Sequence, residues 1–292
     1  MKLIYNLIDK INNYLGPAIF YNGNLLSYNI YNFFFKKNIA NKVYQKDPII
    51  FKYLKDGYVK LNSIPTTQID ELVNMMNMHN PTKIQNNYRY NFTINDELLN
   101  KIKDIINKNL LEFLKSFSNF NNMKIKLGNT KITRNYSVPN THDKEVYSNF
   151  FHCDAYTCNL FKIFINLKDI SEEEGPLVLV KKDKAKKFFK EANYKNRYSY
   201  NKKMNNEYYY INSGKKGDVL LCNTTEILHR AGDVKEGKYR DVLFLDFIAY
   251  PFEDSSIYVD NEKLLSGEII KKVAKPKGFK NLIKLYKFCS NN

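Results

Sequence analysis

The sequence lacks tryptophan and has only four histidines and four cysteines in 292 residues. The cysteines form no CxxC pair and no paired zinc-ligand spacing, which predicts free thiols in a reducing cytosol. No run of 18 or more apolar residues occurs, so a membrane-spanning helix is not expected. The N-terminus has no apolar signal-peptide core, because Asn6, Asp9 and Lys10 interrupt it. We therefore expect a cytoplasmic protein.

Acidic residues are also few, since 30 Asp and Glu stand against 46 Lys and Arg and give a formal net charge of +16. A field of this sign attracts anions such as carboxylates, phosphates, nucleotide-linked substrates, nucleic acid and acidic lipid head groups. Composition offers a second explanation, because a chain rich in Lys, Asn, Ile and Tyr is typical of an AT-rich genome. Both explanations stay open at this point.

The order of hydrophobic patterns predicts a mainly β fold with flanking helices. Helical spacing occurs at 1–15, 66–78 and 95–114, whereas 124–138 alternates as two strands joined at a glycine turn and 147–250 is mainly β. Helices first and short strands later favour a double-stranded β-helix, the cupin-like jelly roll, with N-terminal helices packed on one face. An immunoglobulin-like sandwich is the alternative, but it gives no reason for inward-facing histidines.

Three parts of the chain follow from these patterns. Residues 1–50 form an N-terminal helical and aromatic segment of unknown role, and residues 51–250 form the main domain. Within it, 181–207 is a basic, tyrosine-rich insertion that reads as a loop or short helix and could be a lid. Residues 251–292 form a basic C-terminal extension that contains one more helical segment.

Two of the four histidines belong to one set of candidate metal ligands. His152 and Asp154 follow an aromatic run, and His229 ends an apolar run. On a strand, side chains two residues apart share a face, so His152 and Asp154 point into one space that a histidine from a distant strand can join. Two imidazoles and one carboxylate on one face of a metal form the facial triad of non-haem iron(II) oxygenases. The sequence therefore predicts an iron(II) site at His152, Asp154 and His229.

The segment after His229 predicts a co-substrate site. Gly232 and Gly237 lie symmetrically between His229 and Arg240, which predicts a hairpin with Arg240 opposite His229 on the next strand. Arginine offers a fixed bidentate fork for a carboxylate. A dicarboxylic co-substrate could then chelate the metal at one end and bind Arg240 at the other.

Together these elements resemble the phytanoyl-CoA dioxygenase family of iron(II)/2-oxoglutarate-dependent oxygenases. The resemblance covers about 50–250, and it departs from the family at Ala231, where a small hydroxyl residue is common, and at Val178–Asp183, which replaces a Pro-Gly-Ser-His segment. It rests on matching motifs in the family's order: Asp56-Gly57-Tyr58-Val59, His152-Cys153-Asp154, the strand Phe161–Ile170, Glu174-Gly175-Pro176-Leu177, Gly217-Asp218-Val219-Leu220, and His229 with Arg240 eleven residues later.

The resemblance implies a hydroxylase that uses Fe(II), 2-oxoglutarate and O2 on a small or carrier-linked substrate, for which an anion is one option. Arg240 would bind 2-oxoglutarate, and Arg134 and Tyr136 are further candidates for the cofactor pocket because they lie on the strand before the metal ligands. The carboxylate of Asp154 argues against a halogenase, which replaces it with a small residue. The role of Lys162 stays open.

A function of another class is a non-catalytic jelly-roll binding protein. Its basic surface would be the insertion at 181–207, where tyrosines alternate with lysines. Positive charge with aromatic stacking suits single-stranded nucleic acid or other anions. We favour a lid over the iron site, and nucleic acid is the less favoured partner.

Overall fold

The computed structural model describes residues 47–250 except 80, 85–86, 122–123, 140–144, 155–158, 195–196 and 225–226. The helix expected at 1–15 and the extension at 251–292 lie outside the described residues. Within the described part, no helix combines the length and the apolar character needed to cross a bilayer.

The first helix and strand form the turn-and-strand motif that the sequence predicts. Helix α1 (Pro48–Asp56) begins where the Asp47 carboxylate accepts hydrogen bonds from the Ile49 and Ile50 amides. It ends at Gly57, whose φ of 78° is left-handed, and strand β1 (Tyr58–Leu61) follows directly. A Cβ at Gly57 would also collide with Ile227. The expected domain boundary at 51 falls inside α1.

Three further helices and two short strands, which form one edge of the large sheet, come before its longest strands in the chain. The helix expected from Asn95 to about Leu114 begins as predicted, with the Asn95 side chain accepting from Leu98 N, but it is divided at Leu110. The elements are α2 (Thr66–Asn77), β2 (Thr82–Ile84), β3 (Arg89–Phe92), α3 (Asp96–Asn109) and α4 (Leu111–Asn121). Their apolar stripes are buried against the outer face of the large sheet.

All ten described strands together build two antiparallel sheets. One has seven strands in the order β1-β8-β5-β10-β4-β3-β2, and the other has three in the order β7-β6-β9. This confirms the expected jelly-roll core with helices on one face. The elements are β4 (Lys124–Tyr136), β5 (Asn159–Asn166), β6 (Leu177–Val180), α5 (Ala185–Glu191), β7 (Tyr209–Asn212), β8 (Val219–Cys222), β9 (His229–Ala231) and β10 (Tyr239–Tyr250).

Two strand predictions are wrong. The 124–138 segment is one strand, β4, and the register shift between Leu245 and Phe247 of β10 marks a bulge where a turn was expected. Of the strand expected at 147–156, the described residues 147–154 keep a single bridge, between His152 and His229. Before that bridge, Tyr147 and Ser148 adopt positive φ angles of 43° and 64°, which interrupt an extended strand.

The insertion at 181–207 folds onto the domain. Helix α5 buries Phe188, and the Tyr194 and Tyr208 rings join it in an aromatic cluster. This cluster packs against Phe151, the residue before His152. Tyr198 alone among the described tyrosines of the insertion is largely exposed, at 66%.

Candidate metal centre

The three predicted ligands come together because a short backbone bridge joins their segments. His152 N–H donates to His229 O at 3.0 Å, and His229 N–H donates to His152 O at 2.9 Å. Asp154 N–H donates to Thr224 O at 2.8 Å, which fixes the next inward-facing position. One ligand atom from each of the three residues lies within 4.8 Å of the others.

Both imidazoles present Nε2 to the centre of this group. His152 Nδ1 lies 2.8 Å from Phe150 O, and His229 Nδ1 lies 2.9 Å from Ile227 O. A carbonyl oxygen only accepts, so each Nδ1 carries the proton and each Nε2 keeps its lone pair. The two Nε2 atoms lie 3.9 Å from Oδ1 and Oδ2 of Asp154, respectively. Such backbone partners orient metal-binding histidines.

The charge states also suit a cation. Burial lowers the pKa of His152 to about 3, with help from the neighbouring His229, and burial likewise lowers the pKa of His229. Both imidazoles are therefore neutral near pH 7. Burial alone would raise the pKa of Asp154, but the ammonium of Lys162 and the imidazole of His229 hold that pKa below its usual range. The site thus offers two neutral nitrogens and one carboxylate.

Lys162, whose role the sequence left open, reaches into this site from β5. Its Nζ lies 2.7 Å from Asp154 Oδ2 and 3.9 Å from Asp246 Oδ1. Asp246 faces Lys162 across the β5–β10 pair, and burial raises the pKa of its carboxyl. The lysine therefore links the carboxylate of the candidate triad to a second, buried carboxyl.

Arg240 lies in the same cavity but not by the predicted route. Strand β9 pairs with β6 in the small sheet, whereas β10 pairs with β4 and β5 in the large one. The prediction of a hairpin with Arg240 opposite His229 is therefore wrong. The segment from Gly232 to Gly237 crosses from the small sheet to the large one instead. Gly232 is needed there for close approach, since a Cβ would lie 2.3 Å from Pro176 O.

The Arg240 guanidinium is buried, at 4% exposure, and has no carboxylate partner among the described ion pairs. It donates from Nη1 to Gly175 O, and its buried Nε makes no hydrogen bond. Burial lowers its pKa to about 10, so the group still carries its charge near pH 7. An unneutralised buried guanidinium is costly, and a carboxylate ligand would satisfy it.

The other two candidates for the cofactor pocket lie elsewhere. Arg134 forms a bidentate pair with Asp241 at 2.8 and 2.7 Å, and it stacks over Tyr239. Tyr136 also packs against Tyr239 and is not among the residues that line the cavity. The residue between them, Asn135, faces the cavity and pairs in register with Arg240. The sequence predicts Arg134 and Tyr136 on the inward face of β4, but the register of the strand turns the residue between them inward.

The cavity between the sheets has a volume of about 820 Å³, its open mouth included. It holds the candidate triad, Arg240 and a set of polar and apolar residues from both sheets. Besides these four, it is lined by Arg89, Lys131, Asn135, Tyr147, Ser148, Lys162, Phe164, Asn166, Ile170, Leu177, Asn212, Ala231, Val242, Phe244 and Asp246. No described residue of the insertion at 181–207 lines the cavity, so no contact in the described part of the chain supports a lid over it.

No protein-family model and no curated protein matches this sequence. Among solved structures, the chain is similar to HygX from Streptomyces hygroscopicus with nickel and 2-oxoglutarate bound, at a TM-score of 0.51 and 12% identity over 68% of this chain and 85% of that one. It also aligns with the epimerase SnoN in complex with Fe3+, alpha-ketoglutarate and nogalamycin RO, at a TM-score of 0.49 and 10% identity over 78% and 92%. The likeness to HygX shows that the chain shares the fold of that protein.

Proposed function

We propose that this chain is an Fe(II)- and 2-oxoglutarate-dependent dioxygenase of the phytanoyl-CoA dioxygenase family that hydroxylates a small or carrier-linked substrate. One observation carries the proposal: two neutral imidazoles and a carboxylate converge in a cavity that also holds a buried, unneutralised guanidinium. The first group fits a metal with an open face, and the second fits the far carboxylate of a chelating dicarboxylate.

His152, Asp154 and His229 would hold the iron. When bound, iron(II) supplies the activation of dioxygen, together with 2-oxoglutarate. The chain's own contribution is orientation, since the Nδ1 hydrogen bonds to Phe150 O and Ile227 O fix both rings. The carboxylate of Asp154 also occupies a ligand position that a halogenase leaves open.

Arg240 would bind the distal carboxylate of 2-oxoglutarate. It has an unsatisfied Nε in the cavity, and the buried amides of Asn135, Asn166 and Asn212 line the same space. These donors can replace the hydroxyl that Ala231 lacks. HygX, which shares the fold, is a structure with 2-oxoglutarate bound, and this supports the assignment of the co-substrate.

The non-catalytic alternative needs exposed aromatic rings in the insertion. Stacking on single-stranded nucleic acid uses ring faces that bases can reach. The rings of Tyr194 and Tyr208 are instead buried in the cluster around Phe188, which leaves Tyr198 as the exposed tyrosine. This arrangement favours the enzyme over a nucleic-acid surface.

The test is an incubation of the protein with iron(II), ascorbate and 2-oxoglutarate in a cell extract. We expect iron-dependent formation of succinate and a product one oxygen atom heavier than its substrate, both detected by mass spectrometry. Asp154→Ala should abolish both signals and metal binding while the far-UV circular dichroism stays unchanged. Full turnover in that variant without added halide would remove the triad assignment. Steeply salt-dependent binding of single strands without succinate formation would favour the alternative.

A further inference from the structure

Three neighbouring strands of the large sheet place polar side chains in one row on the wall of the cavity. Asn135 of β4 pairs in register with Arg240 of β10 on one side and with Arg89 of β3 on the other. All three residues line the cavity. Neighbouring strands are about 4.8 Å apart, so the backbones of the two arginines are about 10 Å apart. Two long side chains that leave the same face of the sheet can meet over the residue between them.

Each member of this row has a buried polar atom without a partner. Among the described residues, Nε of Arg89, Oδ1 of Asn135 and Nε of Arg240 make no hydrogen bond. The side chain of Arg89 is partly exposed, and no hydrogen bond or ion pair links it to a described residue. Buried polar atoms without partners cost free energy, and three of them in one row indicate a missing ligand.

The two arginines also bring two positive charges together without an acid. Burial lowers the pKa of Arg240, and the charge of Arg89 acts in the same direction, so the two guanidiniums repel each other. Asp233, a nearby acid, forms an ion pair with Arg230. The carboxyl of Asp246 lies six residues from Arg240 along β10, about 20 Å away, beside Lys162. An anion between the two guanidiniums would therefore stabilise both.

We propose that Arg89 and Arg240 bind one and the same carboxylate, the distal carboxylate of 2-oxoglutarate, with the amide of Asn135 between them. This inference rests on the proposed function and adds a second guanidinium to the co-substrate site. A carboxylate has two oxygens with about four acceptor positions, enough for donors from two guanidiniums and one amide. The co-substrate then uses both positive charges, and Arg89 does not require an anionic prime substrate.

Lys131 offers a matched control in the same cavity. It lines the cavity from β4, but it is exposed and pairs in register with Phe244. It lies four residues from Asn135 along the strand, about 13 Å away. Lys131→Gln therefore removes one positive charge from the cavity, as Arg89→Gln does, without changing the row. A difference between the two variants reports contact with the ligand rather than the overall charge of the cavity.

The test compares two ligands on full-length protein loaded with Mn(II). One is 2-oxoglutarate, and the other is 2-oxopentanoate, which keeps the 2-oxo acid but has a methyl group in place of the distal carboxylate. In isothermal titration, Arg89→Gln should weaken the binding of 2-oxoglutarate by about 10-fold or more, because a charged partner of the carboxylate is lost. The affinity for 2-oxopentanoate should stay unchanged. Lys131→Gln should keep the 2-oxoglutarate affinity within about 2-fold, because its charge is distant and screened.

A second variant separates direct contact from charge at a distance. Arg89→Lys keeps the positive charge but loses the planar fork, so it should recover only part of the lost 2-oxoglutarate affinity. The unfolding free energy of the metal-free Arg89→Gln protein should not fall, since no described acid depends on this guanidinium.

Three results would overturn the inference. The first is an unchanged 2-oxoglutarate affinity in Arg89→Gln. The second is an equal loss for both ligands, which would mean that the substitution distorts the site. The third is full recovery in Arg89→Lys or an equal loss in Lys131→Gln, either of which would assign the effect to overall charge.

Failure of the proposed function gives a different pattern. In that case neither 2-oxo acid binds to the unaltered protein in the presence of Mn(II). Succinate titrated into metal-free protein then decides the inference, because the row should bind a carboxylate by itself, and Arg89→Gln and Arg240→Gln should each weaken that binding. Absence of succinate binding, or binding that Arg89→Gln leaves unchanged, would overturn the inference there too.

Discussion

The Nζ atom of Lys162 lies 2.7 Å from Oδ2 of Asp154, so an ammonium contacts the carboxylate that would bind the metal. The same lysine is 3.9 Å from Asp246, which keeps part of its charge balanced when Asp154 binds a cation. A dication beside an ammonium is repelled, and the two compete for the same oxygen. The pair therefore keeps Asp154 ionised, and it would at the same time limit the affinity of the site for a metal.

Lys162→Gln should consequently bind divalent metal more tightly than the unaltered protein. We expect a gain of about 10-fold for Mn(II), equivalent to about 1.4 kcal/mol, measured by isothermal titration or by the loss of the free Mn(II) electron paramagnetic resonance signal. Lys52→Gln, on the exposed side of α1, should change nothing. A weaker affinity in Lys162→Gln would mean that the lysine positions the carboxylate rather than competing with the metal.

Arg240 and Arg134 give a matched pair of variants. Arg240→Gln should weaken 2-oxoglutarate binding about 30-fold or more, since losing a buried charge pair costs roughly 2–5 kcal/mol. Its unfolding free energy should not fall, because the guanidinium has no described carboxylate partner. Arg134→Gln should do the opposite. It leaves the buried carboxylate of Asp241 without its ion-pair partner, which should lower the unfolding free energy by about 3–5 kcal/mol, and it should leave the 2-oxoglutarate affinity unchanged. If both variants lost 2-oxoglutarate affinity, or if both lost stability, the role given to one of the two arginines would be wrong.

The pair His152 and Asp154 could be predicted from the sequence because its signal is local, and His229 could be added because it ends an apolar run and is followed by Arg240. Histidine is scarce, and the spacing of His152 and Asp154 puts both side chains on one face of an extended segment. The jelly roll followed from the order of helices and strands. Neither prediction needed to know which strands pair.

Strand parity and strand pairing could not be predicted in the same way. The face of β4 that turns inward depends on its register with β10, and a shift of one residue exchanges Asn135 for Arg134. The glycines placed symmetrically about the point between Val234 and Lys235 suit a hairpin and an inter-sheet crossing equally well. Only the packing of Gly232 against Pro176 distinguishes the crossing, and that contact is distant in sequence.

The lowered histidine pKa values predict acid destabilisation of the protein in a chelating buffer. In the unfolded chain these imidazoles take up a proton near pH ~6.5, whereas the pKa of His152 in the native state is about 3. The unfolded state therefore binds more protons in this interval, and the unfolding free energy should decrease as the pH falls from about 6.5 to 4.5, by up to about 1.4 kcal/mol per pH unit for each imidazole. Urea unfolding at several pH values measures the slope.

His152→Gln should reduce that slope. The comparison isolates the imidazole, because Asp246, whose pKa is raised by burial, contributes with the opposite sign in both proteins. An identical slope in the variant would show that His152 is already protonated in the native protein at these pH values.

The aromatic cluster of the insertion should stabilise the candidate metal centre through its contact with Phe151. Phe188 is fully buried and contacts Phe151 edge to face at 5.5 Å, and Tyr194 Oη donates to Phe151 O at 2.8 Å. Phe188→Ala should lower the unfolding free energy by about 3–5 kcal/mol and weaken Mn(II) binding, because His152 follows Phe151 directly. Phe188→Leu serves if the alanine variant does not fold, with smaller effects in the same direction. Unchanged metal affinity in a destabilised variant would separate the cluster from the site.

The basic face of the same insertion predicts a salt effect that is separate from its packing. Lys186, Lys187 and Lys190 are exposed on α5, and Lys187 alone is partly neutralised, by Glu191 and Glu207. If these lysines steer an anionic substrate, kcat/KM should fall with added salt, since exposed charges are screened beyond about 8 Å at physiological ionic strength. Changing all three to glutamine should reduce that salt dependence and leave uncoupled 2-oxoglutarate turnover unaltered. Loss of uncoupled turnover would make these lysines structural, and a rate independent of salt in the unaltered protein would assign the charge of α5 to composition.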